Sequence, residues 1–391
     1  MRTSMQPQVF RTGTFKGVSV TDAFALAASQ QSPVIVSLGA IDWPSTLKPT
    51  PQPLGKYSAG EKITTALNVQ ADVLIILYTD DETSALLDVF TGNNAWTPAR
   101  KKQWNGYGHN FNQFKPIIEG IDGDTALEDG LFGYLSAVKI GATNVVLFKS
   151  ELHPKQNGVK LPFVPVIQQL VTELKPSLVL STGTAGAIGS HVQCGDVVIT
   201  TAARFHVQDT YPTFPQINAL STGDGQLTNT VALKTTYLNY AAANLTQLSL
   251  PGLTSCYERL QSHSGFSFVQ KPVAPPAIYV TGSHPVPGPQ PMDIVSADFL
   301  TVDDSTDLEG LQALGAMNDT DDAFAFFAIA QMTGAKPAWV SVRNASEPQI
   351  VAPAGSSQET IKSLAGSIYG IYQYCTTLNS AFACWAIVAG L

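Results

Sequence analysis

Residues 178–204 read Leu-Val-Leu-Ser-Thr-Gly-Thr-Ala-Gly-Ala-Ile-Gly-Ser-His-Val-Gln-Cys-Gly-Asp-Val-Val-Ile-Thr-Thr-Ala-Ala-Arg. The apolar triplet Leu178-Val179-Leu180 suits a buried strand, and the Gly, Ser and Thr residues after it predict that the strand opens into a loop. In that loop Gly183, Gly186 and Gly189 let backbone N–H groups approach a ligand, and the Thr182 and Thr184 hydroxyls can donate to its oxygens. This is chemistry for an oxyanion or a sugar, although a tight structural connection accounts for the same residues. Gly195-Asp196 turns the chain into a second apolar run, Val197-Val198-Ile199, so two core strands flank the polar segment.

Upstream, Ala71 leads into Asp-Val-Leu-Ile-Ile-Leu-Tyr, a buried-strand pattern, then the acidic turn Thr79-Asp80-Asp81-Glu82 and the helical spacing Leu86, Leu87, Val89, Phe90. Leu131–Lys139 and Asn144–Phe148 predict two strands joined at Gly141, and Phe163–Leu174 an amphipathic helix closing at Pro176. Downstream come a helix within Thr230–Leu248, a strand at Ala277–Val280, an apolar helix over Asp319–Thr333, a strand at Ala338–Val342 and a helix from Gln358 to Gly390. Strands alternating with helices imply an α/β domain with a parallel or mixed sheet. Residues 1–65, with a helix at Asp22–Ala28, a strand at Val34–Leu38 and a Pro-rich piece from Pro44 to Pro53, form an extension. Residues 66–391 form one domain, with insertions at about 91–130 and 206–276; the first is aromatic and Gly-rich without a period and is expected near the surface.

Composition narrows the function. The 391 residues are 44% hydrophobic and 13% charged, enough apolar content for a large core, and the net charge of −8 leaves no basic stripe for nucleic acid. No run of about eighteen apolar residues and no signal-like N-terminus is present, so a soluble, cytoplasmic protein with no membrane partner is expected. The four cysteines, Cys194, Cys256, Cys375 and Cys384, lack C-x-x-C spacing and predict buried free thiols rather than a metal site or disulfides.

The order of short segments resembles the nucleoside phosphorylase and nucleosidase superfamily. Thr-Gly-Thr-Ala-Gly-Ala-Ile, then Gly-Asp-Val-Val-Ile, then Ala-Arg-Phe-His is similar to its central signature, closest in pattern to the methylthioadenosine/adenosylhomocysteine nucleosidases. The resemblance implies a three-layer α/β/α sandwich around a mixed sheet, and a homo-oligomer. It places Glu82 where the family's water-activating carboxylate lies, a role open to a general base; a carboxylate that merely favours a helix N-terminus gives the same sequence. Val145–Ser150 is similar to the strand that ends in a Ser-Gly loop near the sugar, but here it continues Glu-Leu-His-Pro without glycines, which weakens the case for Ser150. In Ser296-Ala297-Asp298-Phe299, similar to the family's Ser-Gly-Asp-x-Phe, Phe299 either stacks on a nucleobase or belongs to the core.

Asp319-Thr320-Asp321 stands where the family has Glu-Met-Glu, whose second Glu binds the ribose hydroxyls. Asp321 is the favoured sugar ligand, with Asp319 or Asp322 able to take the part. Arg343-Asn344-Ala345-Ser346-Glu347 resembles Arg-x-x-Ser-Asp, which makes Glu347 the acid that assists the departing base, oriented by Arg343 and Ser346. Thr184 and Gly183 then contact sugar or nucleophile, and His153 and His206 lie near matched segments. No cationic Gly-Asp-Pro-x-Arg stretch is present. The expected function is therefore hydrolysis of a purine nucleoside or related nucleoside, without cofactor. Phosphorolysis with phosphate as co-substrate, and a silent nucleoside-binding, storage or transport protein, are the alternatives.

Overall fold

A computed structural model describes residues 14–15, 18–19, 41–44, 46–92, 96–119, 125–154, 158–189, 191–222, 225–245, 265–273, 275–281, 291–298 and 308–391. The helix expected at Asp22–Ala28, the strand expected at Val34–Leu38, Phe299 and Cys256 lie outside them.

β1 (Thr14–Phe15) and β2 (Val18–Ser19) form a small hairpin. The chain then supplies β3 (Thr50–Gln52), β4 (Lys62–Ile63), β5 (Val73–Leu77), α1 (Asp80–Thr91), α2 (Pro98–Lys101), β6 (Asn105–Tyr107), α3 (Phe111–Ile118) and α4 (Thr125–Asp129). Next come β7 (Gly133–Ile140), β8 (Thr143–Ser150), α5 (Phe163–Leu174), β9 (Leu178–Ala187), β10 (Val197–Thr200), β11 (Ala202–His206), α6 (Pro215–Thr222), β12 (Leu227–Thr228) and α7 (Thr235–Leu245). The last part holds β13 (Ser267–Phe268), β14 (Ile278–Val280), β15 (Ile294–Ala297), α8 (Leu308–Leu314), β16 (Met317–Asp319), α9 (Asp322–Ala330), β17 (Ala338–Glu347), β18 (Ile350–Val351) and α10 (Gln358–Ala389).

Fourteen of these strands make one mixed sheet, in the order β12-β11-β15-β16-β9-β5-β8-β7-β6-β4, with β17 and β10 branching from β9. Its centre is β5, whose Val-Leu-Ile-Ile-Leu run is buried on both faces. Val73, Ile75 and Leu77 face one core with residues of α1, α7 and α10, and Leu74 and Ile76 face the other with residues of α5 and α9. The alternation of a strand thus feeds two helical layers from one apolar run. This is the α/β sandwich around a mixed sheet that the sequence implied.

The structure corrects one expectation at the decisive stretch. The predicted loop after Leu180 does not open there: β9 continues through Ser181-Thr182-Gly183-Thr184 to Ala187. Tertiary pairing overrides the low strand propensity of Gly, because β17 runs parallel to β9 from Ala338↔Leu178 to Glu347↔Gly186. Likewise β17 extends five residues beyond the expected Val342. The helix expected from Asp319 begins at Asp322, because Met317–Asp319 pairs with β15 and β9 as β16. Trp104 and Tyr107, expected near the surface, are buried, since β6 joins the sheet beside β7. Residues 41–52 also dock on the domain: Trp43 stacks on Phe382, and Trp385 Nε1 donates to the Leu47 carbonyl at 2.8 Å. Cys194, Cys375 and Cys384 are buried, and among the described residues they form no disulfide.

Candidate active site

Glu82 lies where β5 hands the chain to α1. Thr79 is the extended N-cap of α1, its hydroxyl accepts from Glu82 N, and the Glu82 carboxylate reaches back to the Thr79 backbone, a reciprocal capping box. The same carboxylate does more than cap. Its Oε2 accepts from Thr79 N at 2.9 Å and Tyr78 N at 3.3 Å, and its Oε1 accepts from Thr184 N and Thr184 Oγ1, each at 2.8 Å. Four donors occupy the four lone-pair directions of a buried carboxylate. Gly183 makes this approach possible: its φ is +146°, and a Cβ there would lie 2.3 Å from Glu82 Oε1.

Arg343 enters from β17, whose register places it opposite Gly183. The guanidinium is 1% exposed and donates through Nη1 to the Thr184 carbonyl at 3.0 Å. Its Nε and Nη2 grip Asp322 Oδ1, and Nη2 also lies 3.2 Å from Asp319 and 3.5 Å from Asp321. Nη1 is 3.9 Å from Glu82. Four carboxylates therefore surround one buried guanidinium.

The three aspartates are not equivalent. Asp322 accepts from Ser181 and Arg343 through one oxygen and from Ser341 through the other. Burial raises its pKa, but the charge and hydrogen bonds of Arg343 outweigh this and hold it below the usual carboxylate value. Asp319 accepts from Ser296 through Oδ1 and from Asp322 N at 2.9 Å through Oδ2. Burial and the adjacent Asp322 push its carboxyl up. Asp321 Oδ1 faces His153 Nε2 at 3.2 Å and Thr320 Oγ1 at 3.4 Å, whereas its Oδ2 accepts no hydrogen bond among the described residues. Burial, with Glu82 and Asp322 nearby, raises Asp321 despite Arg343.

Glu347 ends β17. The Ser346 hydroxyl reaches both Glu347 Oε2 and the Ala185 carbonyl, the latter at 3.3 Å, and its single proton serves one or the other, which keeps the acid against β9. Burial pushes the Glu347 carboxyl up to about 7, opposed by the Ser346 hydrogen bond and aided by the charge of Glu82.

Of the residues singled out from the sequence, Glu82, Gly183, Thr184, Asp319, Asp321, Arg343, Ser346 and Glu347 are thus brought together, with Thr320 alongside. Ser150 instead closes a local turn, donating to the Leu152 carbonyl at 2.6 Å and accepting from Leu152 N at 3.1 Å. It makes no contact with the cluster in the described hydrogen bonds. His206 ends β11, paired in register with Ala297 of β15. Sequence reading missed Ser181, Ser341 and Ser296 as carboxylate donors, and Tyr78, whose hydroxyl bonds Ser181 at 2.8 Å under the Arg343 guanidinium. It also missed Tyr369 of α10, which sits in the field of Glu82 and Glu347 and beside Thr184 and Thr79; burial first, then those two charges, raise its phenol. A signal for the serines existed: Ser181 and Ser341 each interrupt an apolar strand run, and they are register partners.

The fold is thus a mixed sheet between helical layers, with Asp319 at the end of β16 and Arg343 within β17 meeting Glu82 of α1 and Asp321 and Asp322 at the start of α9. Consistent with this, residues 119–285 match the family model of the phosphorylase superfamily, which bears out the resemblance at that level. Among solved structures, a 5′-methylthioadenosine/S-adenosylhomocysteine nucleosidase from Neisseria meningitidis, in complex with methylthio-immucillin-A, is similar at 13% identity and TM-score 0.44, covering 82% of this chain and 100% of that one. Futalosine hydrolase of Helicobacter pylori aligns at 11% identity and TM-score 0.44, over 84% and 97% of the two chains. A Colwellia psychrerythraea nucleosidase in complex with adenine gives 14%, 0.45, 83% and 97%. No curated protein sequence matches the chain. Among the described residues no helix is long and apolar enough to cross a membrane.

Proposed function

We propose that the protein hydrolyses the N-glycosidic bond of a nucleoside, a purine nucleoside being the favoured class. The observation that carries this reading is the gathering of three differently prepared carboxyl groups, Asp321, Glu347 and Glu82, around Thr184 and Arg343. Asp321, the one of the three aspartates with an oxygen that accepts no hydrogen bond among the described residues, its Oδ2 meeting Arg343 Nη2 at 3.5 Å, accepts the ribose hydroxyl protons and supports positive charge as the anomeric carbon loses its base. Glu347, with a carboxyl near neutrality, donates a proton to the leaving base, the match of pKa to working pH that general acid catalysis needs.

Glu82 activates the attacking water. Its oxygens are filled in the resting structure, so water must take the place of one donor. The Thr184 hydroxyl is the replaceable one, since it can rotate toward sugar or water while the three backbone N–H groups stay fixed.

Phosphorolysis is the less favoured reading. Among the described residues the cations beside the site are already engaged: Arg343 by Asp322 and Asp319, and Lys149 by Asp80 at 3.3 Å and Glu151 at 3.1 Å. A phosphate dianion would have to compete with these carboxylates. Incubating the protein with a nucleoside panel, with and without inorganic phosphate, tests the assignment. Phosphate-independent base release is expected. Release that requires phosphate makes the protein a phosphorylase, and saturable binding without release makes it a silent binder.

A further inference from the structure

The turn after β8 brings an imidazole to the proposed sugar site. β8 runs parallel to β5, so its end lies beside Tyr78, and the Ser150 hydroxyl folds the next residues back through its two bonds to Leu152. His153 emerges there, edge-on to the Tyr78 ring at 6.2 Å, with Nε2 at 3.2 Å from Asp321 Oδ1 and 3.5 Å from Thr320 Oγ1. The Ser-Glu-Leu-His-Pro segment, which lacks the glycines of the resembled loop, thus presents a titratable side chain instead of bare backbone.

The charges facing Asp321 explain what this side chain does. From β17 comes Arg343, from α1 Glu82, from β16 Asp319, from the start of α9 Asp322, and from the end of β5 the neutral phenol of Tyr78. One guanidinium, committed mainly to Asp322, confronts four carboxylates. Among the described residues the ion pairs of Asp321 come from Arg343 and His153 alone.

We propose that His153 is a positioning residue which, as the imidazolium, pairs with Asp321 and keeps its carboxylate ionised to accept the sugar hydroxyl protons. A neutral Asp321 carboxyl would carry its own proton and offer the sugar a donor where an acceptor is needed. Burial, Glu82 and Asp322 drive Asp321 toward that neutral form and Arg343 opposes them; an imidazolium at 3.2 Å adds to that opposition. Imidazoles titrate within the physiological range, so the pairing ties sugar binding to pH. This inference rests on the nucleoside reading for its sugar role, whereas the pair itself stands on the geometry.

Two measurements on the full chain test it. Nitrogen NMR follows the His153 imidazole, assigned with His153→Gln, through a pH titration of the wild type and of Asp321→Asn. The His153 midpoint is expected at least one pH unit higher in the wild type, and equal midpoints overturn the pair. In the second, KM and kcat for a ribonucleoside that the protein cleaves are recorded against pH. His153→Gln is expected to move the acid limb of kcat/KM upward by about one unit, with KM raised about tenfold near pH 6 and kcat changed less. His153→Lys, which restores a cation, is expected to return the limb toward its wild-type position. A limb that does not move in His153→Gln, with Tm unchanged, overturns the positioning role. If no nucleoside is bound or cleaved at any pH, the function reading and the sugar role fail together, while the NMR result still decides the pair.

Discussion

Two helix N-termini in this protein carry the same acidic signature and put it to different uses. At α1, Asp80 and Asp81 are exposed, and the third acid, Glu82, completes a capping box with Thr79. At α9, Asp321 is the N-cap residue yet makes no side-chain cap bond; Asp319 accepts from Asp322 N, and the Ser296 hydroxyl accepts from Ala323 N at 2.8 Å. The carboxylates of Asp319, Asp321 and Asp322 are consequently turned inward and buried. A helix dipole favours exposed acids at an N-terminus by a few tenths of a kcal/mol to about 1 kcal/mol, too little to explain three buried ones. The buried set needs the Arg343 guanidinium as its cation, which the exposed acids of α1 do not.

The comparison breaks most visibly at Arg343. Arg343→Met leaves the α9 aspartates without their cation, and a loss of about 3–5 kcal/mol in denaturant unfolding at pH 7 is expected. The loss should shrink at low pH, where the carboxyls protonate; a loss under 1 kcal/mol would put α9 on the same footing as α1.

A smaller effect, of opposite sign, is expected at Glu347. Its folded pKa, near 7, lies above the ordinary carboxylate value, so the folded state binds the proton more tightly than the unfolded one. That contribution is fully present below about pH 4 and is lost as pH rises through 7. Glu347→Gln, neutral throughout, should therefore exceed the wild type in stability by about 2 kcal/mol at pH 8 and match it near pH 4. Urea unfolding at the two pH values reads the difference.

At α1 the numbers are smaller. Thr79→Ala removes the cap hydroxyl and should lower stability by about 1 kcal/mol, measurable as a drop in the chemical denaturation midpoint. Asp81→Asn, at an exposed first-turn position, should change it by only about 0.3–0.5 kcal/mol, fading in high salt. A large effect there would mean that the exposed acids also serve the site.

Much of the architecture was legible because it is written in short-range patterns. Val73–Leu77, Phe163–Leu174 and Gln358–Ala389 fall where periodicity puts them, and the order of short motifs agrees with the match of residues 119–285 to the phosphorylase superfamily model. The misreadings share a cause. Ser181–Ala187 read as a loop and folded as a strand because β17 supplies its partners from 160 residues away, a pairing no local window contains. The acidic motif at 319–322 could be located but its members could not be told apart. What separates Asp321 from Asp319 and Asp322 is which hydroxyls reach each one, and Ser181, Ser296 and Ser341 arrive from three different strands. The sequence marks His153 only as a neighbour of a matched segment, since its distance to Asp321 exists only after β8, β5 and α9 have assembled.

The register between β9 and β17 also has a consequence in time. Strand pairing of such sequence separation is slow, because the long loop must close before any contact rewards it. Glu82 and the three aspartates leave the ribosome before Arg343 does, and until β17 docks they have no buried cation to gather around. The intervening chain should therefore stay open at its centre, with the outer hairpin of β7 and β8 formed early. Addition of β17 and of α10, whose Trp385 donates to the Leu47 carbonyl, would then close the first and last parts of the chain together in one late step.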